Sequence, residues 1–156
     1  MTTATRPDAA PNTEVANRLG CDVAGAIDLY TQIKQAHWTV VGPNFIALHE
    51  LFDRQAALMR GHVDTLAERL RALGGIPQGT ARQAGAASEL PDLPAEELPE
   101  RDAVTAILER YDVLRASCAE SAEIASEADD VATEDVYIEV MRDLDLQRWF
   151  LRSHLG

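Results

Sequence analysis

The sequence predicts an all-α protein, a four-helix bundle with a short extra helix in the long connection between helices two and three. Three observations support this fold class. Ala, Leu, Glu and Arg are frequent and aromatic residues make up only 5% of the chain, a composition that favours helices over strands. Four long segments carry apolar residues at helical spacing. Residues 74–99 are too long for a plain loop of a bundle.

The length and composition indicate one domain with a flexible tail. The chain has 156 residues, of which 46% are hydrophobic, enough for a single core. Residues 1–12 are small, polar and interrupted by proline, so they cannot bury an apolar face. We therefore expect a flexible tail over 1–12 and a bundle domain over 13–156.

The first two helices follow from apolar stripes that end at glycine and proline. The first stripe runs from Thr13 to Val40 and stops before Gly42-Pro43. A second helix begins at Asn44 or a neighbour and continues to Leu73, where Gly74-Gly75-Ile76-Pro77 ends it. Both helices are long.

The remaining helices lie on either side of a proline-rich connection. Residues 74–99 contain four prolines, and we expect a short helix within 80–90. The third long helix covers 101–127. The fourth is predicted to begin at a Thr133 cap and to run towards His154.

Charge and cysteine content exclude several classes of protein. The formal net charge is −12, which opposes binding to nucleic acid and to anionic membranes. Cys21 and Cys118 lie far apart, without the spacing of a zinc site or a disulfide framework. No apolar segment is long enough to cross a membrane. A soluble cytoplasmic protein with free thiols is expected.

The second helix carries four potential metal ligands on one face. His49 and Asp53 are four residues apart, as are Asp64 and Glu68. At 100° per residue, all four fall within an arc of about 100°. The apolar stripe occupies the other side of the helix.

A single chain cannot bring both pairs of ligands to one ion, because His49 and Asp64 are more than about 20 Å apart along the helix. Two copies packed antiparallel about a two-fold axis can do so. His49 and Glu68 lie equally far from Leu58-Met59, and so do Asp53 and Asp64. His49 of one copy would then meet Glu68 of the other, and two sites would form per dimer.

Small residues near this axis permit close helix approach. Ala57 and Gly61 lie on the polar arc, while Arg60 nearby is an objection to close packing. His37, at the end of the first helix, offers a second imidazole. Imidazole with several carboxylates suits iron or manganese.

The alternative reading is a solvated polar face, because His, Asp and Glu are common at this spacing. His62 points away from this arc and is expected to be a packing or interior-surface residue. His154 is expected to be solvated near the chain end. Trp38 and Trp149 are expected to be core or interface aromatics.

Several motifs together resemble the Dps family, the mini-ferritins also called DNA-binding proteins from starved cells. The resemblance extends over nearly the whole chain except the tail and the middle connection. It rests on these residues: Lys34–Gly42 (KQAHWTVVG), Phe45, Leu48-His49-Glu50, Asp53, Asp64–Arg69 (DTLAER), Leu73-Gly74-Gly75, Arg142–Asp145 and Trp149-Phe150.

The resemblance implies a ferritin-like four-helix bundle assembled into a hollow dodecamer built from two-fold dimers. It implies ferroxidase sites between subunits, with Fe(II)/Fe(III) as the metal. The implied ligands are His37, His49 and Asp53 of one subunit with Asp64 and Glu68 of its mate. Trp38 would lie beside the site in a catalytic role, supplying electrons or intercepting radicals.

The implied function is iron storage and detoxification under oxidative stress. Fe(II) is oxidised, with hydrogen peroxide as the expected oxidant and dioxygen as the other candidate, and ferric mineral is held inside the cage. Acidic residues resemble the lining of the family's three-fold pores: Glu127, Asp129, Asp130, Glu134, Asp135, Glu139 and Asp143.

The alternative function is that of a DNA-binding, nucleoid-protecting protein of the same family. Many relatives bind DNA through lysine-rich tails, but here the tail has no lysine and Arg6 is its sole cation. Lys34 is the only lysine in the chain. We therefore expect DNA binding to be weak or absent in physiological salt.

Overall fold

The computed structural model describes residues 12–156, which form a helical bundle. The predicted tail lies outside the described residues except for Asn12. The elements are α1 (Thr13–Thr39), β1 (Val40–Val41), α2 (Phe45–Ala72), α3 (Ala81–Ala87), β2 (Leu98–Pro99), α4 (Glu100–Glu127) and α5 (Val131–Leu155). The predicted four-helix bundle with a short extra helix is confirmed.

The bundle consists of two helix pairs packed together. Helix α1 packs mainly on α2, α4 packs mainly on α5, and α1 also contacts α4 and α3. The largest buried side chains come from all four long helices and include Leu19, Phe52, Tyr111 and Leu144. Across residues 12–156, no helix combines the length and the apolar character needed to cross a membrane.

Local capping explains where two helices begin. The side chain of Asn12 accepts a hydrogen bond from the Glu14 amide at 3.0 Å, which caps α1. In the middle connection, Thr80 and Gln83 form a reciprocal capping box at the start of α3. The short helix expected within 80–90 is therefore present, with its own start signal.

The predicted cap of the last helix was wrong. Helix α5 begins at Val131, and its cap is Asp130 rather than Thr133. Asp130 Oδ1 accepts from the Thr133 amide at 3.1 Å, and Oδ2 accepts from the Thr133 hydroxyl at 2.6 Å. Thr133 is buried in the first turn. Asp130 also pairs with Arg69 of α2 at 2.8 Å, which ties the start of α5 to α2.

A two-stranded parallel ladder was not predicted. Val40 pairs with Leu98 and Val41 pairs with Pro99, which ties the end of α1 to the start of α4. Each strand has only two residues, so neither has enough residues to show the alternation that predicts strands. The ladder joins distant parts of the chain, and helical periodicity carries no information about such pairing.

The turn between β1 and α2 is held by α4. Glu100 accepts hydrogen bonds from the Asn44 backbone amide and, at 3.0 Å, from the Asn44 side-chain amide. Gly42 has a φ of 151° and lies against the Glu100 side chain, where a Cβ would collide. Glycine is therefore required here, and this close contact sets where α2 begins.

Candidate metal centre

Two histidines on successive helices stack beside the β1 turn. His37 lies on the last turn of α1 and His49 on the second turn of α2. Their ring centroids are 3.7 Å apart and the rings are inclined by 17°. The Phe45 ring lies 5.0 Å from His49, so His49 has an aromatic neighbour on α2 as well as the stacked imidazole.

Each histidine is oriented by the backbone of the other. Nδ1 of His37 donates to the carbonyl oxygen of His49 at 2.7 Å, and Nδ1 of His49 donates to that of His37 at 2.8 Å. Because a carbonyl oxygen can only accept, each Nδ1 carries the hydrogen. The nitrogen left for a metal ion on each ring is therefore Nε2, as in other histidines that the backbone orients through Nδ1.

Asp53 follows His49 by one helical turn and is held by the chain's only lysine. Lys34 Nζ lies 2.7 Å from Asp53 Oδ1, which links α1 to α2. The hydrogen bond and the charge of Lys34 hold the pKa of the Asp53 carboxyl below its usual value. Asp53 is therefore an exposed, charged ligand candidate that already has a cationic partner.

The two tryptophans lie on the surface rather than in the core. Trp38 is 66% exposed and Trp149 is 58% exposed. The Lys34 ammonium lies 5.7 Å from the Trp38 ring centroid, within cation–π range. Of the two predicted alternatives, core or interface, only the interface is compatible with this exposure, and it stays a prediction. Trp38 directly follows His37, so it lies beside the stacked pair.

Asp64 and Glu68 lie farther along the same helix. Both are exposed, and at about 1.5 Å per residue Asp64 is roughly 17 Å from Asp53. Across residues 12–156, no three His, Cys, Asp or Glu side chains converge as a metal site would require. One chain therefore presents the stacked pair His37 and His49, with Asp53 one helical turn after His49, while Asp64 and Glu68 lie farther along α2.

The surface of α2 between Asp53 and Asp64 is exposed. Ala57, Arg60 and Gly61 are all exposed. A Cβ added at Gly61 would meet no atom within 4 Å, so nothing in the chain itself explains a glycine in the middle of α2. This surface is open to close approach by a second helix.

The other predicted residues have simpler surroundings. His62 is buried, in agreement with the packing interpretation, and His154 is exposed. Cys21 is an exposed thiol, while burial raises the pKa of the Cys118 thiol well above its usual value. Neither cysteine belongs to the candidate metal centre.

Sequence reasoning did not detect the contacts that organise the histidines. The reciprocal bonds between His37 and His49 depend on the turn geometry, and the bond from Lys34 to Asp53 joins residues nineteen positions apart. Spacing within one helix carries no information on either contact.

Comparison with known proteins places the chain among ferritin-like proteins. The ferritin-like domain family matches residues 17–156. The chain is 36% identical over 133 residues to the DNA protection during starvation protein of Agrobacterium fabrum, a match that covers 85% of this chain and 82% of that protein.

Solved structures show the same fold. The Dps protein from Bacillus brevis superposes with a TM-score of 0.89 at 30% identity, covering 96% of this chain and 99% of that one. Dps from Microbacterium arborescens, solved in a high-iron form, gives a TM-score of 0.89 at 33% identity, covering 97% and 99%. The similarity therefore extends over the whole bundle.

Proposed function

Because the chain belongs to the ferritin-like family, and within it to the Dps proteins, we propose that it is a ferroxidase that stores iron at sites shared between subunits. The observation that carries this proposal is the stacked pair His37 and His49. Their mutual backbone hydrogen bonds orient two imidazoles for metal binding, and Asp53 follows His49 by one helical turn.

The second half of each site comes from a second copy of α2. Asp64 and Glu68 are exposed and lie on the helix face that also carries Asp53. Antiparallel packing about a two-fold axis near Leu58-Met59 brings them to His49 and Asp53 of the partner subunit. The five side chains then supply two imidazoles and three carboxylates, a donor set that suits iron.

The proposed reaction takes two electrons from two ferrous ions at once. Two Fe(II), one hydrogen peroxide and two protons give two Fe(III) and two water molecules. Carboxylates favour the harder ferric ion and so lower the potential of the couple. Paired oxidation avoids release of hydroxyl radical.

Trp38 and the cage complete the proposed function. Trp38 is exposed next to His37, where it can donate an electron or intercept a radical formed at the site. The dimers assemble into a hollow dodecamer that holds ferric mineral. The high-iron form of the Microbacterium arborescens relative supports iron as the cargo.

The decisive experiment compares the native protein with Glu68→Ala. Protein loaded anaerobically with Fe(II) receives a pulse of peroxide, and ferric absorbance is followed while light scattering checks the assembly. We expect fast oxidation that collapses by about 10²-fold or more in an intact Glu68→Ala assembly. Glu123→Ala, which removes an exposed glutamate from α4, is the matched control and should oxidise as the native protein does.

Equal rates in the native protein and in Glu68→Ala would refute the intersubunit site. A rate that falls equally in Glu123→Ala would attribute the loss to charge alone. Repeating the pulse with dioxygen in place of peroxide identifies the working oxidant.

DNA protection is the second candidate, favoured by the name of the Agrobacterium fabrum relative. The net charge of −12 opposes it, and the only lysine, Lys34, is paired with Asp53. We expect no gel retardation of DNA by the assembled protein at low or physiological salt. A shift that appears only with Mg(II) would indicate cation bridging, and a shift at both salt concentrations without Mg(II) would support the DNA-binding function.

A further inference from the structure

The turn that brings His37 and His49 together is held from outside by α4. Each imidazole is oriented by the other residue's carbonyl oxygen, so the geometry of the pair depends on how the end of α1 meets the start of α2. On the α1 side of the turn, β1 is paired with β2. On the α2 side, Glu100 contacts Asn44, from which it is 56 positions distant in the sequence.

Helix α2 does not stabilise its own N-terminus. Its N-cap residue, Asn44, makes no side-chain capping bond, and its first turn contains no acidic residue. Glu100 supplies a carboxylate there from another helix. One of its oxygens accepts from the Asn44 backbone amide, and the other accepts from the Asn44 side-chain amide at 3.0 Å. A negative charge is favourable at a helix N-terminus, and hydrogen bonds to a carboxylate are stronger than those between neutral groups.

The Glu100 carboxylate lies at the N-terminal ends of two helices. Glu100 is the first residue of α4, so it lies in the first turn of its own helix as well as against the start of α2. The glycine at Gly42 leaves room for its side chain to reach Asn44. His49 follows Asn44 by five positions, so little more than one helical turn separates the Glu100 contact from the imidazole pair.

We propose that Glu100 is a positioning residue of the candidate metal centre. By holding Asn44 it fixes where α2 begins, and with that it fixes how each imidazole meets the other residue's carbonyl oxygen. Without this contact the rings lose their fixed orientation, and their Nε2 atoms no longer point in a defined direction. Removal of a group that orients ligating histidines commonly lowers metal affinity by about 10–100-fold. The inference rests on the proposed function, because it takes His37 and His49 as metal ligands.

The test measures Co(II) binding to the assembled protein, which requires no oxidation step. Equilibrium dialysis gives the affinity, and the visible spectrum of Co(II) reports the ligand geometry. The spectral component that disappears in His49→Gln defines the site. We expect Glu100→Ala to bind this component about tenfold more weakly and with a shifted spectrum. Glu100→Gln should restore the native spectrum, because its amide can accept from the Asn44 backbone and donate to the Asn44 side-chain oxygen once that amide has rotated.

Matched controls separate positioning from charge and from stability. Glu97→Ala removes an exposed glutamate close to Glu100 in the sequence, and it should bind Co(II) as the native protein does. Asp130→Ala removes the cap of α5 and so lowers stability without touching the histidine turn, and its His49-dependent spectrum should be native. Asn44→Ala removes one of the two hydrogen bonds and should weaken binding about twofold. This milder variant decides the question if Glu100→Ala does not fold.

Native affinity and spectrum in Glu100→Ala, or in Asn44→Ala where Glu100→Ala does not fold, would overturn the inference. An equal loss in Asp130→Ala would also overturn it, since the effect would then follow stability. If His49→Gln removes a Co(II) component that Glu100→Ala leaves intact, the inference fails and the proposed metal site stands. If His49→Gln removes no component, the histidine pair does not bind metal and the proposed function itself fails.

Discussion

At the scale of single residues, Lys34 binds the same carboxylate, that of Asp53, that a metal ion would bind. Its ammonium bonds to Asp53, one of the five proposed ligands, and also lies near the ring of Trp38. A cation that binds Asp53 must compete with this internal cation. If Asp53 is a metal ligand as proposed, we expect Lys34 to limit how tightly the site binds a metal ion.

Replacement of Lys34 by Met tests this competition. We expect Lys34→Met to bind Mn(II) about two- to fivefold more tightly, because an exposed ion pair of this kind is weak. The pKa of Asp53 should return towards its ordinary value. Calorimetric titration measures the affinity, and Arg82→Met, which removes an exposed cation from α3, is the control. Unchanged or weaker binding in Lys34→Met alone would contradict the competition.

Gln55 is a second residue with a definite energetic prediction. It is 0% exposed, and neither its amide nitrogen nor its amide oxygen has a hydrogen-bond partner within residues 12–156. A buried amide without partners destabilises a fold, so Gln55→Leu should raise the free energy of unfolding by about 1–2 kcal/mol. Gln55→Glu should lower it, since it buries a charge.

Urea denaturation of both variants measures these effects at fixed protein concentration. Destabilisation by Gln55→Leu would show that the amide is satisfied by buried water that leucine cannot replace.

At the scale of elements, the start of α5 depends on one carboxylate. Burial raises the pKa of Asp130, but the hydrogen bonds from Thr133 and the charge of Arg69 lower it by more, so the net pKa lies below the ordinary value. A lowered pKa in the folded state means that the charged form stabilises the protein. This contribution is complete above the pKa of the unfolded chain and is lost as pH falls through the folded value.

We therefore expect Asp130→Ala to lower the free energy of unfolding by about 1–2 kcal/mol at pH 7. The difference from the native protein should be constant above about pH 5 and should shrink below about pH 4. Urea denaturation across this pH range checks the prediction. Asp130→Asn keeps a side-chain oxygen for the cap but removes the charge. Its free energy of unfolding should therefore lie between those of the native protein and Asp130→Ala. A difference that grows on acidification would refute this account.

At the scale of the whole molecule, the proposed activity depends on a helix pair that one chain does not contain. Gly61 is the clearest probe of this pair, because its surroundings in the chain have room for a side chain. A bulky residue there leaves the bundle intact but keeps the second copy of α2 at a distance.

Gly61→Leu should therefore fold with native helix content while it loses the two-fold dimer and most Fe(II) oxidation. Size-exclusion chromatography with light scattering measures the assembly, and circular dichroism measures the helix content. Gly85→Leu, at an equally open helical position on α3, is the control and should assemble normally. Native assembly and activity in Gly61→Leu would place the subunit contact elsewhere.

Much of the fold could be predicted because helices are local structures. Apolar periodicity, with glycine and proline as stops, located all four long helices to within a few residues, and the composition of 80–90 indicated the short one. The cap of α5 was misplaced because Asp130 and Thr133 are both good caps, and only the pairing of Asp130 with Arg69 and Thr133 distinguishes them.

The sequence by itself determined which side chains share a face of α2, because residues four apart on a helix are neighbours whatever surrounds them. It also determined that one chain cannot gather His49 and Asp64 around one ion. Only the tertiary structure decided how His37 meets His49, that Lys34 holds Asp53, and that His62 faces Asp143. These contacts join separate helices, and their geometry follows from the turn at Gly42 and from helix packing, neither of which periodicity encodes.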